Sequence, residues 1–108
     1  MSDKRKNSRV PLDIYLNKYV SGVPYMARAS DISNEGVSLA RLLEPEAAGK
    51  RVGLQFQLPG SEEVIYAEGE VVREWIDAKK EGSGVRFTLL TARHKKLIDR
   101  YVERHASE

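Results

Sequence analysis

The sequence predicts an all-β domain finished by one C-terminal α-helix, and three observations carry that prediction. Short runs with apolar residues at every second position recur from Val10 to Leu89, which is the period of a half-buried strand. Glycine, proline and polar turn formers punctuate them, as at Ser21-Gly22 and Pro59-Gly60. Helical spacing of apolar residues appears near the end of the chain, at Leu97, Ile98, Tyr101 and Val102. Six short strands joined by turns point to a small antiparallel barrel or sandwich.

The elements follow in order. Residues 1–9 lack apolar periodicity and are expected to be a flexible basic segment. Val10 to Tyr19 alternates, with Val10, Leu12, Ile14 and Leu16 on one face and Asp13, Tyr15 and Asn17 on the other. Ser21-Gly22 turns the chain into a second strand, Tyr25 to Ala29, which delivers it to a polar loop, Asp31 to Gly36. Val37 to Ala40 is a third strand. The stretch from Leu43 to Gly49 reads as a loop with room for one helical turn over Glu44 to Ala48. Arg51 to Leu58 alternates again, and Val64 to Ile76 is a long strand whose Gly69 marks a bulge or a close backbone approach. Ala78 to Gly84 reads as a charged, glycine-ended turn before Val85 to Leu89. Thr91 is placed to N-cap a helix from Ala92 to Arg104. Burying its stripe at about 25 cal/mol per Å² would contribute several kcal/mol by covering an open end of the sheet.

Composition narrows the function. A chain of 108 residues that is 41% hydrophobic and 31% charged fits one soluble domain. No run approaches the roughly 20 apolar residues of a membrane-spanning helix, so no membrane insertion and a cytoplasmic location are expected. The absence of cysteine excludes disulfides, thiol catalysis and cysteine-bound zinc. Residues 1–10 hold four basic side chains and one acidic; the remaining 14 Lys/Arg and 15 Asp/Glu nearly cancel. A basic tail on a near-neutral body suits a small anion better than a long nucleic acid. His94 and His105, eleven apart on the predicted helix, lie too far along it to share a metal and read as solvated. No converging acid, base or nucleophile pattern points to an enzyme, and no metal or cofactor is implied.

Two motifs carry chemistry. Asp31-Ile32-Ser33-Asn34-Glu35-Gly36 offers a carboxylate, a hydroxyl and a glycine that permits a positive φ or a close approach. Arg5-Lys6-Asn7-Ser8-Arg9 offers two guanidinium forks, which suit phosphate oxygens and the O6/N7 edge of guanine. A ligand carrying both phosphate and guanine could use both motifs.

Arg-x-x-x-Arg followed about twenty residues later by Asp-x-Ser-x-x-Gly resembles the PilZ domain family, whose members bind the bacterial second messenger cyclic di-GMP. Arg9-Val10-Pro11-Leu12, Gly49-Lys50-Arg51-Val52, Leu58-Pro59, Gly69-Glu70-Val71-Val72 and Gly84-Val85-Arg86-Phe87 are similar to that family's successive strands and turns. The resemblance implies a six-stranded antiparallel β-barrel over residues 10–90 with a packed helix over 91–105. It implies a cyclic di-GMP site at Arg5, Arg9, Asp31, Ser33 and Gly36. Lys4 stands where many members carry a further arginine, and a lysine cannot make the planar bidentate contact. Trp75 is expected either in the core or near the ligand, and Arg73 and Arg86 either in solvent or on the ligand. With no output domain attached, the signal is expected to pass to a separate protein partner and to serve regulation such as motility or biofilm formation. Two alternatives stand beside this reading: an interaction module that does not bind the nucleotide, and a small-barrel nucleic-acid binder. The second is disfavoured because Tyr15, Tyr19, Tyr25, Tyr66 and Trp75 are not interleaved with a basic stripe. The expected mechanism is a basic segment that folds over cyclic di-GMP and presents a new surface when it does.

Overall fold

A computed structural model describes residues 8–40, 42, 49–76 and 81–106. The expected flexible segment over 1–9 therefore lies outside the described residues up to position 7, as does the helical turn over Glu44 to Ala48. Six strands form one antiparallel sheet that closes on itself: β1 (Val10–Val20), β2 (Val23–Ile32), β3 (Gly36–Ala40), β4 (Arg51–Phe56), β5 (Ile65–Ile76) and β6 (Glu81–Leu90). Around the ring the order is β1-β2-β3-β6-β5-β4, so β1 and β6 stand on opposite walls. The helix α1 (Ala92–Ala106) follows β6 directly.

Alternation builds the core. From β1 the inward set is Val10, Leu12, Ile14 and Leu16, joined from the other strands by Ala27, Ala29, Leu39, Leu54, Ile65, Val71 and Val85. The same parity carries Lys18 inward, and it is completely buried. Thr91 caps α1 as its position predicts: its hydroxyl accepts from the His94 N–H at 3.2 Å and its carbonyl from the Lys95 N–H at 2.9 Å. Ile98 and Val102 are buried against the barrel and Leu97 and Tyr101 pack beside them.

The two histidines depart from the expectation of solvated residues. The His94 ring Nδ1 accepts from the Tyr66 N–H at 3.3 Å while Nε2 faces Glu63 at 3.7 Å, so the ring ties α1 to β5. His105 stacks on Tyr101 with ring centroids 4.0 Å apart.

Boundaries differ where side-chain size, rather than polarity, decides. Gly82, Ser83 and Gly84 belong to β6 instead of a turn, pairing with Trp75, Glu74 and Arg73. Small side chains let β6 pass tightly there, and all three residues are buried. The polar loop is shorter than expected, because Asp31 and Ile32 continue β2 and Gly36 opens β3. The strand read as Arg51 to Leu58 ends at Phe56. At Gly69 the register with β6 slips, and a Cβ would lie 2.6 Å from Val85 Cγ1, so bulge and close approach coincide.

Candidate ligand-binding site

The site begins with strand register. Asp31 lies opposite Pro11 of β1 and opposite Ser38 of β3, with irregularities between Pro11 and Ile14 and between Ala29 and Asp31. Continued alternation from the buried Ala27 and Ala29 would point Asp31 into the barrel. The bulges give that inward place to Ile32 and leave Asp31 half-buried at the wall. Arg9, just before β1, reaches it: Nη1 donates to Asp31 Oδ1 at 2.7 Å and, more weakly, to Ser38 Oγ at 3.5 Å. The two motifs are thereby joined by an ion pair, with side chains 45% and 33% exposed. At that exposure the pair is worth about 0–1 kcal/mol, so it orients Arg9 without locking it.

The remaining motif residues build the turn. Ser33 is buried; its N–H donates to the Gly36 carbonyl at 2.8 Å and its hydroxyl accepts from the Glu35 N–H at 3.1 Å. The Glu35 carbonyl accepts from the Phe87 N–H at 2.9 Å, which fastens the turn to β6. Gly36 lies opposite Arg86, and a Cβ there would fall 2.2 Å from the Val85 carbonyl oxygen. Its glycine thus serves close approach, since Gly36 is not among the described residues with positive φ.

Beside this turn a hollow of about 260 Å³ is lined by Arg9, Glu35, Gly36, Val72, Arg73, Gly84, Val85 and Arg86. Arg73 runs along Gly84, whose hypothetical Cβ would sit 3.4 Å from its Cγ and Nε. Arg86 pairs with the cross-strand Glu70 at 2.8 Å. Three arginines and one glutamate line the hollow, and Asp31 and Glu70 beside it pair with Arg9 and Arg86, so an anion there would draw on guanidinium groups already held in exposed ion pairs. Among the described residues, hollows of about 370 and 360 Å³ lie on the β1–β4 side, and one of about 270 Å³ holds the Asp13–Arg28 pair. The first has no charged lining and the second balances Arg51 with Glu68, so size alone does not select an anion site.

Of the sequence-derived candidates, the structure brings Arg9, Asp31, Gly36, Arg73 and Arg86 together and sets Ser33 behind them as the turn's brace. Lys4 and Arg5 lie outside the described residues, as does the side chain of Trp75, whose backbone in β5 pairs with Gly82 of β6. Glu35 comes to the site with its motif, whereas Ser38 and Glu70 join it from β3 and β5. Only the register of β2, β3, β5 and β6 places Ser38 and Glu70 here, and no local spacing signals it.

The described residues thus form a closed six-stranded barrel whose wall carries an arginine-lined hollow beside two joined motifs. The PilZ domain family model matches residues 3–104, and the chain belongs to that family. Among solved structures, the chain is similar to the Bacillus subtilis inhibitor of motility MotI/DgrA, at 20% identity and a TM-score of 0.76, over 93% of this chain and 51% of that one. It is also similar to the YcgR PilZ domain from Escherichia coli with c-di-GMP, at 14% identity and a TM-score of 0.65, over 96% and 92%. A third is the K. pneumonia MrkH–c-di-GMP complex, at 16% identity and a TM-score of 0.62, over 95% and 55%. The chain spans about half the length of the MotI/DgrA and MrkH chains. At these identities the likeness is one of fold. No curated protein matches the sequence.

Proposed function

We propose that the protein is a non-enzymatic receptor for cyclic di-GMP that acts in the cytoplasm and passes the signal to a separate protein. The observation that carries this reading is the 2.7 Å pair between Arg9 and Asp31, which puts the last arginine of one motif and the first carboxylate of the other on one wall. Family membership and the likeness in fold to YcgR and MrkH, both known with c-di-GMP, support the choice of ligand.

The chemistry follows from the residues. Both Arg9 contacts run through Nη1, and a guanidinium has five N–H donors, so the fork retains capacity for a phosphate or a guanine edge. A bidentate contact contributes about 1–3 kcal/mol, more than the exposed Asp31 pair gives up. Asp31 can accept from the guanine N–H edge while Ser33 keeps the turn in place. Arg73 and Arg86 offer planar cations for stacking or phosphate. Lys4 and Arg5 then fold over the ligand from the N-terminal side. Ordering five residues of that segment costs on the order of 5–10 kcal/mol, which holds the affinity near micromolar, about −8 kcal/mol. The ordered segment is the new surface a partner reads.

Calorimetric titration with cyclic di-GMP, beside GTP, GMP and random single-stranded oligonucleotides, tests the proposal. Selective binding of cyclic di-GMP, with the dinucleotide recovered intact, is the expected result. Displacement by oligonucleotides at equal concentration would make the barrel a general anion binder, and recovery of linear dinucleotide would make it an enzyme.

A further inference from the structure

The barrel is closed, yet one stretch of its ladder is open. β1 pairs with β4 only from Asn17 to Val20, opposite Gln55 to Val52, whereas its pairing with β2 extends down to Val10. Below Asn17 the two strands part. Among the described residues no backbone hydrogen bond joins residues 10–16 to 57–64 across the fork. At the lower end the Tyr101 hydroxyl of α1 reaches the Pro11 carbonyl at 3.5 Å, and Pro11 with the adjoining bulge blunts that part of the edge. What stays open is the edge from Asp13 to Leu16. The hollow of about 370 Å³ lies over β1 and opens onto this fork, running from Met26 of β2 across Tyr15 to Gln55, Gln57 and Val64.

From this geometry we propose that the β1–β4 fork is a docking site for an extended, uncharged segment of a partner protein, which adds a short strand along Asp13–Leu16. The open edge identifies the occupant as a strand, because its outward N–H and C=O groups match another extended backbone and little else. The flanks identify its side chains. Tyr15, Met26 and Val64 are 63%, 52% and 48% exposed, so alternate apolar residues of the segment would lie over them. The amides of Asn17 and Gln55, bonded to each other at 3.2 Å, close the upper end of the fork with polar but uncharged groups. Of the charges beside the fork, Asp13 pairs with Arg28 and Glu63 with Arg93, each at 2.8 Å, and the exposed Glu62 stands at its rim. The fork lies on the wall opposite β6, so a partner here leaves the arginine-lined hollow open.

The test uses the full chain without nucleotide, so its outcome is independent of the cyclic di-GMP reading. A displayed library of random heptapeptides is selected against the protein, and enriched peptides are synthesised with and without N-methylation at alternate residues. Enriched sequences should be uncharged with alternating apolar residues, should slow amide exchange at Asp13–Leu16, and should lose binding when the edge-facing amides are methylated. Met26→Lys and Val64→Lys, both at exposed positions and therefore neutral to the thermal melt, should each weaken binding about tenfold or more. Enriched peptides that are charged, that protect another strand, or that tolerate N-methylation would overturn the proposal, as would failure to enrich any peptide. Concentration-dependent dimerisation abolished by Val64→Lys would assign the fork to a second copy of the chain and also overturn it.

Discussion

β2 is bounded by two tight reversals that are held in different ways. Ser21 and Gly22 turn the chain with φ values of 53° and 81°, and the paired Val20 and Val23 flank them as in a two-residue hairpin. Nothing lies within 4 Å of the Cβ that Gly22 lacks, so this turn rests on backbone conformation alone. The Ser33–Glu35 turn contains no positive φ. A serine hydroxyl, the Phe87 N–H and the contact of Gly36 with the Val85 carbonyl hold it from three directions. The first reversal is a local device, indifferent to the rest of the barrel. The second is bolted to β6, whose Arg86 lines the hollow, so a change in the turn is felt at the candidate site.

The contrast is sharpest in glycine replacement. Gly36→Ala puts a methyl 2.2 Å from a backbone oxygen and forces β3 from β6, with an expected loss of about 3 kcal/mol or more in denaturant unfolding. Gly22→Ala meets open space and only the strain of a left-handed residue, about 1–2 kcal/mol. Equal costs would erase the distinction between the two turns. Ser33→Ala comes next: the Glu35 N–H loses its partner, at about 1–2 kcal/mol of stability, with a smaller loss of cyclic di-GMP affinity. The smallest effect belongs to Ser21→Asn, which should leave affinity untouched and raise the melting temperature slightly, because Asn-Gly is the preferred pair for such a hairpin.

The fold was legible wherever side-chain alternation decides it, as in β1, where parity alone separates Leu12 and Leu16 from Asp13 and Tyr15. It was less legible where small residues act by fitting. Gly82-Ser83-Gly84 has the composition of a turn, yet buried against Arg73 and Glu74 it is the tightest part of a strand. Lys18 sits on the inward parity of β1, but its charge argues against a buried place and only the structure shows it there. For the site, the motifs named Arg9, Asp31, Ser33 and Gly36, but not the division of labour between them. That division depends on the register across three strands and on bulges that no local spacing reveals. The pairing of Glu70 with Arg86 is of the same kind, sixteen residues apart in sequence and opposite in the sheet.

On the proposed function, Arg9 serves ligand binding while Ser33 and Gly36 serve the turn. Titrating cyclic di-GMP into wild type and Arg9→Ala, each beside a thermal melt, tests this division most directly. Removing one charge-assisted bidentate contact should weaken binding by about ten- to a hundredfold, or about 1.5–3 kcal/mol. The half-exposed pair with Asp31 should cost the fold no more than about 1 kcal/mol. Full affinity in Arg9→Ala with an unchanged melt would contradict the account.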